Sequence, residues 1–443
     1  MDWREEYKRR LFSLEEMAKQ IKSGDTIGTA MAVGNCSPDV YHAILDRWEE
    51  VKNVRFIDAV PIRPCKIHDP EIMVNMAGHI EYQSCFFSPL GRKMGQQGVS
   101  DFLTVMSSDT GDKYAAVSDV YITQVTPPNE QGFVNLGLTN FYSWQAIRDG
   151  RASGKQRLTI GEVNDQMPTI FGNNWLHVTE FDVFVENSNP IPAVGRTEPG
   201  ELEKKVGEYV LELINDGDTI QMGIGAIPEA VISGLEGKHD LGVLTEMFPS
   251  GLPQLVEKGI VTNGRKPFHK GVTVATFCMG DQSMYDFTHE NPLCEFYPAC
   301  YTNNPGFIAQ HHNMKSINMG LLIDFSGQIA SEGMGERMIS GTGGQLDFQI
   351  GAYHSPGGKG ITLMTSSRTL KDGTLVSSIV PTLPVNTPIT VPRTFADCVV
   401  TEYGIADLKY KTNRERAEAL INIAHPDLRG ELRDGMRKRF YLS

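Results

Sequence analysis

Two glutamates in this sequence end short apolar runs, and a carboxylate so placed can be a reagent. Glu246 closes Leu241-Gly-Val-Leu-Thr245 and is followed by Met247-Phe248, while Glu402 closes Cys398-Val-Val-Thr401. A carboxylate is a weak nucleophile in water, where it is well solvated. It becomes a competent one in a dry cleft, beside donors that stabilise a developing oxyanion. Gly341-Thr-Gly343-Gly344-Gln345 offers unhindered backbone N–H groups, because glycine lets an acyl group approach the main chain. Lys359, between two glycines, has the reach to meet a phosphate. Asn303, in Asn303-Asn304-Pro305, either turns the chain or presents an amide to a ligand. Each of these also has an ordinary reading: a solvated strand-end acid, a tight turn, a surface lysine. Composition alone does not rank Glu402 below Glu246.

A different chemistry also fits the stretch from Thr219 to Gly251. Thr219–Met222 reads as a strand, Gly223-Ile-Gly225 follows, and a helix pattern runs from Pro228 to Leu235. A second apolar run then ends at Glu246. The interval from Gly223 to Glu246 is close to the roughly 20 residues of a dinucleotide site in which the acid holds a ribose. A NAD-dependent dehydrogenase is therefore the alternative from another class. Its motif needs a third small residue for close packing of helix on strand, and Pro228 stands there. Gln221, at the end of the first strand, is polar where a ligand would sit.

The elements that position these residues alternate between strand and helix. The sequence predicts helices over 13–23 and 39–50. It predicts strands over 26–31, 54–58, 102–106, 119–125, 157–162 and 181–186. After these come strands over 271–278, 295–301, 316–325, 361–365 and 396–400, and closing helices over 414–423 and 426–440. Such alternation implies parallel βαβ units. Residues 187–200, with three prolines and two glycines, read as a linker between a first domain, 1–186, and a second, 201–443. Gly24-Asp-Thr-Ile27 recurs as Gly217-Asp-Thr-Ile220 with similar flanks, which points to a duplicated unit. The expected fold class is α/β, with two tandem open domains carrying largely parallel sheets of similar topology. The active site is expected between them, at the carboxyl ends of the strands.

Composition narrows the function. The 443 residues carry a net charge of −13, which argues against nucleic acid as a partner. Seven scattered cysteines, without CxxC or HExxH patterns, argue against disulfides and structural zinc. His311 and His312 are adjacent and would face opposite sides of a strand. The charged N-terminus has no signal-peptide core, and no 18-residue apolar run is present, so a cytoplasmic enzyme without a membrane span is expected.

Several longer stretches carry a resemblance. QMGIGAIPEAV (221–231), TEMFPSG (245–251), SGTGGQLDF (340–348) and VTEYGIADLKYK (400–411) are its most specific pieces, and EVNDQMP (162–168) and ALINIAHPDLR (419–429) add to it. With these the chain resembles the class I coenzyme A transferases of the acetyl-CoA hydrolase/transferase group, especially the 4-hydroxybutyrate and butyryl-CoA:acetate transferases. The similarity runs from Met1 to Phe440. It implies a CoA-transferase-like fold, with Glu246 as the catalytic carboxylate and Gly343 and Gly344 at the oxyanion site. It also implies CoA contacts at Gln221, Gly223, Gly225, Asn303, Gln345 and Lys359. Coenzyme A would be a substrate, short-chain carboxylic acids its partners, and no metal or redox cofactor would take part. A homo-oligomer, dimer or tetramer, is implied by analogy. The activity implied is acyl-CoA:carboxylate CoA transfer through a glutamyl-CoA thioester, with acyl-CoA hydrolysis as the near alternative. A second oxyanion donor is implied after the strand 54–58, where this chain reads Ala59-Val-Pro-Ile-Arg63 and Pro61 lacks an N–H. The sequence departs from the group at Met31–Ser37, at Val60–Ile67 and around Gly150–Gln156.

Overall fold

The computed structural model describes residues 2–441. The chain forms two compact units, Met1–Val194 with Val274–Thr302 and Gly195–Thr273 with Asn303–Ser443. The segment from Val274 to Thr302 thus packs with the first unit, although it follows the first strands of the second.

The first unit is built on seven strands: β1 (Thr26–Thr29), β2 (Val54–Asp58), β3 (Ile80–Ser84), β4 (Asp101–Phe102), β5 (Val120–Val125), β6 (Leu158–Val163) and β7 (Val183–Glu186). They lie in the order β7-β6-β5-β1-β2-β3-β4, and every pair is parallel. All six residues of β5 and all six of β6 are buried, as in a parallel sheet covered on both faces. Helix α1 (Pro38–Leu45) shows how a cover forms. Pro38 opens it, where a missing N–H is no loss. Val40, Tyr41, Ile44 and Leu45 make one apolar stripe, packed into the core with Phe56, Ile122 and Ile160. Burial of each aliphatic side chain there stabilises by about 1.5–3 kcal/mol, so an aspartate at Ile44 would undo the contact.

The second unit repeats the plan with six strands: β8 (Thr219–Met222), β9 (Gly242–Val243), β10 (Met314–Met319), β11 (Lys359–Leu363), β12 (Cys398–Thr401) and β13 (Gly404–Asp407). Their order is β9-β8-β10-β11-β12-β13, parallel except for the β12–β13 hairpin. In both sheets the first strand is internal. In the first, β2 to β4 build out on one side of it and β5 to β7 on the other; in the second, β9 lies on one side and β10 to β13 on the other, so the strand order reverses at β1 and at β8.

The repeated Gly-Asp-Thr-Ile leads into those two strands with one geometry. Gly24 and Gly217 are left-handed, at φ +85° and +80°. Asp25 accepts from the Lys22 amide at 2.6 Å, and Asp218 accepts from the Asn215 amide at 2.8 Å. Each buried acid also meets a cation: Arg157, just before β6, for Asp25, and Lys315 of the neighbouring β10 for Asp218.

Local chemistry moved several predicted boundaries. The run 316–325 is two strands, Met314–Met319 and Leu322–Asp324, divided at Gly320. A Cβ at Gly320 would crowd Thr362 of β11. The predicted strand 295–301 covers only Cys294–Phe296, and Ala299–Thr302 turns helical after Pro298. Strand β3, Ile-Glu-Tyr-Gln-Ser, is polar at Glu81, Gln83 and Ser84 and was not predicted. The helix after β8, α2 (Ala226–Gly234), begins two residues before Pro228. The third position of a helix also has an orphan N–H, so proline fits there as well as at the first.

Candidate active site

The residues around Glu246 belong to the second unit and gather at the carboxyl end of its sheet. The Leu244 amide donates to the Ile220 carbonyl at 3.2 Å, so the chain stays paired beyond β9. Thr245 donates its hydroxyl to the Met247 carbonyl at 3.0 Å, which turns the backbone sharply at the glutamate. Glu246 is half-buried there. Asn303 Nδ2 donates to Glu246 Oε2 at 2.6 Å. Gly344 packs against the same pair: a Cβ on it would stand under 3.0 Å from Glu246 Oε2 and from Asn303 Nδ2.

Gly344 is also the N-cap of α3 (Gln345–His354). The first N–H groups of a helix lack internal partners and its dipole favours negative charge, so the end of α3 suits a carboxylate or an oxyanion. Gly343 is left-handed, at φ +55°, and sets the turn into that cap. Gln345, the first residue of α3, is 7 % exposed, and its Nε2 has no hydrogen-bond partner among the described residues. The Oδ1 of the fully buried Asn303 is likewise without one. Unmet buried donors and acceptors of this kind carry a penalty that a bound polar group relieves. The structure therefore brings together Glu246, Asn303, Gly344 and the cap of α3. This places a carboxylate, an amide donor and a helix N-terminus around one point.

The other predicted contacts fall in three places. Gln221 is 3 % exposed and its amide is engaged within the sheet. Its Nε2 donates to Asn318 Oδ1 at 3.0 Å, and its Oε1 accepts from Ser316 Oγ at 3.0 Å and from Asn318 Nδ2 at 2.9 Å. This buried network ties β8 to β10, where the strand order reverses. Gly223 continues β8 by donating to the Ile317 carbonyl at 2.9 Å, and Gly225, at φ +120°, caps α2. Both glycines border the end of β8, next to the turn that carries Glu246.

Lys359 is not part of this gathering. It begins β11, level with Lys315 of β10 and Ile220 of β8, at the amino edge of the sheet. The whole of α3, about 15 Å at 1.5 Å per residue, runs between the cap at Gly344 and this edge. Its ammonium is paired with Asp407 at 2.7 Å. Burial opposes the charge on Lys359, but the bond to Asp407 outweighs it and raises the pKa.

The second candidate carboxylate has a structural position. Glu402 is 7 % exposed, with one oxygen accepting from the Ser366 amide at 2.9 Å and the other from the Ser366 hydroxyl at 2.6 Å. It fastens the end of β12 to the chain leaving β11.

Comparison with known proteins fits this arrangement. Residues 1–195 match the acetyl-CoA hydrolase/transferase N-terminal domain, and residues 280–436 match the C-terminal domain of the same name. The chain belongs to the acetyl-CoA hydrolase/transferase family. It is 37 % identical to the 4-hydroxybutyrate coenzyme A transferase of Clostridium kluyveri, over 99 % of this chain and 100 % of that protein. It is 36 % identical to the succinyl-CoA:cyclohexane-1-carboxylate CoA transferase of Geobacter metallireducens, covering 98 % and 97 %. The crystal structure of RipA from Yersinia pestis superposes with a TM-score of 0.91 at 32 % identity over the full length of both chains.

As a member of this family the chain is an enzyme, a CoA-transferase, and its fold is that of the family's solved structures. This overturns the dehydrogenase alternative. In the structure the acid that would hold a ribose instead meets Asn303 and Gly344. Among the described residues no helix is long and apolar enough to cross a membrane, and no cluster of three metal-ligating side chains is found.

Sequence reasoning passed over Ser316 and Asn318. A signal was present: two polar residues two apart in the apolar run SINMGLLIDF share one face of a strand. On an interior strand that face is buried, so the pair had to find polar partners. In the first unit, where a second oxyanion donor was sought after β2, the Val60 amide already donates to the Phe86 carbonyl at 2.9 Å. Val60 itself is held at φ +51°, a strained conformation for a β-branched residue.

Proposed function

We propose that this CoA-transferase moves coenzyme A between short-chain carboxylic acids, with Glu246 as the nucleophile of a double displacement. A carboxylate oxygen of Glu246 attacks the thioester carbonyl of an acyl-CoA, giving an acyl-glutamyl anhydride and CoA thiolate. The thiolate attacks the glutamyl carbonyl, and the first acid leaves as its carboxylate. A glutamyl-CoA thioester remains on the enzyme. A second carboxylate takes the CoA by the same two steps in reverse, and Glu246 is restored. The activation held in the thioester passes through the anhydride and back, so no ATP is consumed.

One observation carries this reading: Asn303 Nδ2 stands 2.6 Å from Glu246 Oε2 with the capping glycine of α3 against the same oxygen. The amide holds the carboxylate in a fixed pose before attack. Backbone N–H groups at Gly343, Gly344 and the start of α3 are suited to the negative charge that develops on the carbonyl oxygen. Asn303, with a further buried acceptor, and Gln345, with a free donor, suit polar groups of CoA. Butyryl- or 4-hydroxybutyryl-CoA with acetate is the substrate pair favoured by similarity.

The test is to incubate the enzyme with butyryl-CoA alone and measure intact mass. A CoA adduct should appear, map to the peptide bearing Glu246 and disappear on adding acetate. Initial rates with both substrates varied should give the parallel double-reciprocal lines of a ping-pong mechanism. Thiol release at the same rate with and without acetate would assign the enzyme to hydrolysis. Wild-type transfer by a Glu246→Ala enzyme would refute the proposal.

A further inference from the structure

The loop leaving β2 carries a second constellation, within the first unit. Cys65 Sγ lies 3.2 Å from His68 Nδ1. His68 Nε2 faces Asp58 Oδ2 at 3.8 Å, and Tyr82 donates its hydroxyl to Asp58 Oδ1 at 2.8 Å. Thiol, imidazole, carboxylate and phenol form one chain of contacts. The groups behind the thiol are closed to water: the side chains of His68 and Asp58 are 3 % and 0 % exposed. Cys65 itself is only partly buried.

The polar atoms between His68 and Asp58 have no other use. Among the described residues His68 Nε2 and Asp58 Oδ2 are both buried without a hydrogen-bond partner, and they face each other. A buried carboxylate oxygen in that position calls for a cation. Burial pulls His68 toward its neutral form, but Asp58 and Cys65 outweigh this and raise it to about 9. The other groups facing the ring are the edges of Tyr82 and Tyr41, and burial pushes both phenols well up, so they stay uncharged. At neutral pH the ring is an imidazolium and directs Nδ1–H at the sulfur. A cationic donor against sulfur is the arrangement that favours a thiolate. At Cys300, also half-buried, burial first, then Asp112 and Asp149, push the thiol up to about 11.

We propose that Cys65, held against the His68 ring that Asp58 backs, is a site of reversible modification by low-molecular-weight disulfides. The Cys65 sulfur gives up its proton to solvent and attacks one sulfur of the disulfide. A mixed disulfide forms as the original S–S bond breaks, and the other half leaves as a thiolate that takes its proton from solvent. Excess thiol reverses the exchange. CoA disulfide is one source of this chemistry, and glutathione disulfide is another.

The full-length enzyme, incubated at pH 7 with CoA disulfide in one arm and glutathione disulfide in the other, would be digested without reductant and mapped by mass spectrometry. A mixed disulfide on Cys65, removed by dithiothreitol, is expected, and the arm that yields it identifies the source. Iodoacetamide at pH 6.5 should alkylate Cys65 about tenfold faster than Cys300. That advantage should vanish in His68→Gln and shrink in Tyr82→Phe, which removes only the hydroxyl behind Asp58. If His68→Gln does not fold, the wild-type comparison decides: alkylation of Cys65 no faster than that of Cys300 would overturn the proposal. Adducts on Cys300, or on no cysteine, would overturn it too.

Discussion

Asn303 Nδ2 and Glu246 Oε2 are 2.6 Å apart, and the two residues are 57 positions apart in the chain. Asn303 sits fully buried ahead of the short helix Pro305–Ile308, and Glu246 sits on the turn after β9. An amide that donates through Nδ2 fixes the pose of Oε2, which the proposed double displacement requires before attack. Glu246→Gln keeps the shape of the side chain but not its nucleophilicity. It should fold as wild type, lose transfer by at least about a thousandfold and show no CoA adduct by intact mass. Glu246→Asp withdraws the oxygens by about one methylene, and a misplacement near 1 Å is enough for a loss of about a hundredfold.

Asn303→Ala should separate binding from chemistry. If the amide acts on the reacting carboxylate, kcat falls by about a hundredfold to a thousandfold, as for loss of one positioned donor. KM for acyl-CoA should change much less, and a slow CoA adduct should still form on Glu246. A change confined to KM would make Asn303 a substrate contact only.

Two glycines predict opposite outcomes. A Cβ at Gly344 meets Glu246 and Asn303 under 3.0 Å, with ordinary φ, whereas a Cβ at Gly225 meets nothing within 4 Å but would be strained at φ +120°. Gly344→Ala should abolish transfer while leaving the thermal midpoint near wild type. Gly225→Ala should destabilise the fold by about 1–3 kcal/mol, read in urea titrations, and leave activity per folded molecule largely intact.

Lys359→Ala tests a contact that similarity implied and the sheet relocates. The ammonium is paired with Asp407 at the amino edge of β11, about one helix length from the cap of α3. KM for acyl-CoA should stay within about twofold, and stability should fall by no more than about 1 kcal/mol, as for a partly exposed ion pair. A tenfold rise in KM would return Lys359 to the CoA site.

What the sequence made legible follows the range of the interaction behind each feature. The Gly-Asp-Thr-Ile turns were readable because a left-handed glycine and an aspartate capping the chain three residues back are local devices. Strands buried on both faces, such as β5 and β6, were readable as apolar runs. Glu246 and Glu402 were not separable, because both end apolar runs; their surroundings differ, with Asn303 and Gly344 against one and Ser366 on the other. Those partners are 36 or more residues away. The place of Lys359 at the amino edge of β11 was not legible for the same reason: which edge of a sheet a residue occupies depends on register between strands, not on its glycine neighbours.

Two buried histidines predict a pH window for stability with opposite edges. Interactions with Asp58 and Cys65 raise His68 to about 9 in the folded first unit, against about 6.5 in the unfolded chain. The folded state therefore holds its proton more tightly. The stabilisation is fully present below about pH 6.5 and is lost as pH rises through 9. His311, in the second unit, is buried with Nδ1 donating to the Phe307 carbonyl at 3.1 Å, and burial lowers it to about 4. Here the unfolded chain takes the proton first, so stability is intact above about pH 6.5 and falls as pH drops toward 4. Each shift corresponds to about 3 kcal/mol at most. Thermal midpoints measured from pH 4 to 9.5 should trace both edges. His311→Gln should flatten the acid edge and leave the alkaline one, while His68→Gln should do the reverse. Parallel profiles for wild type and both variants would show that neither histidine sets the window.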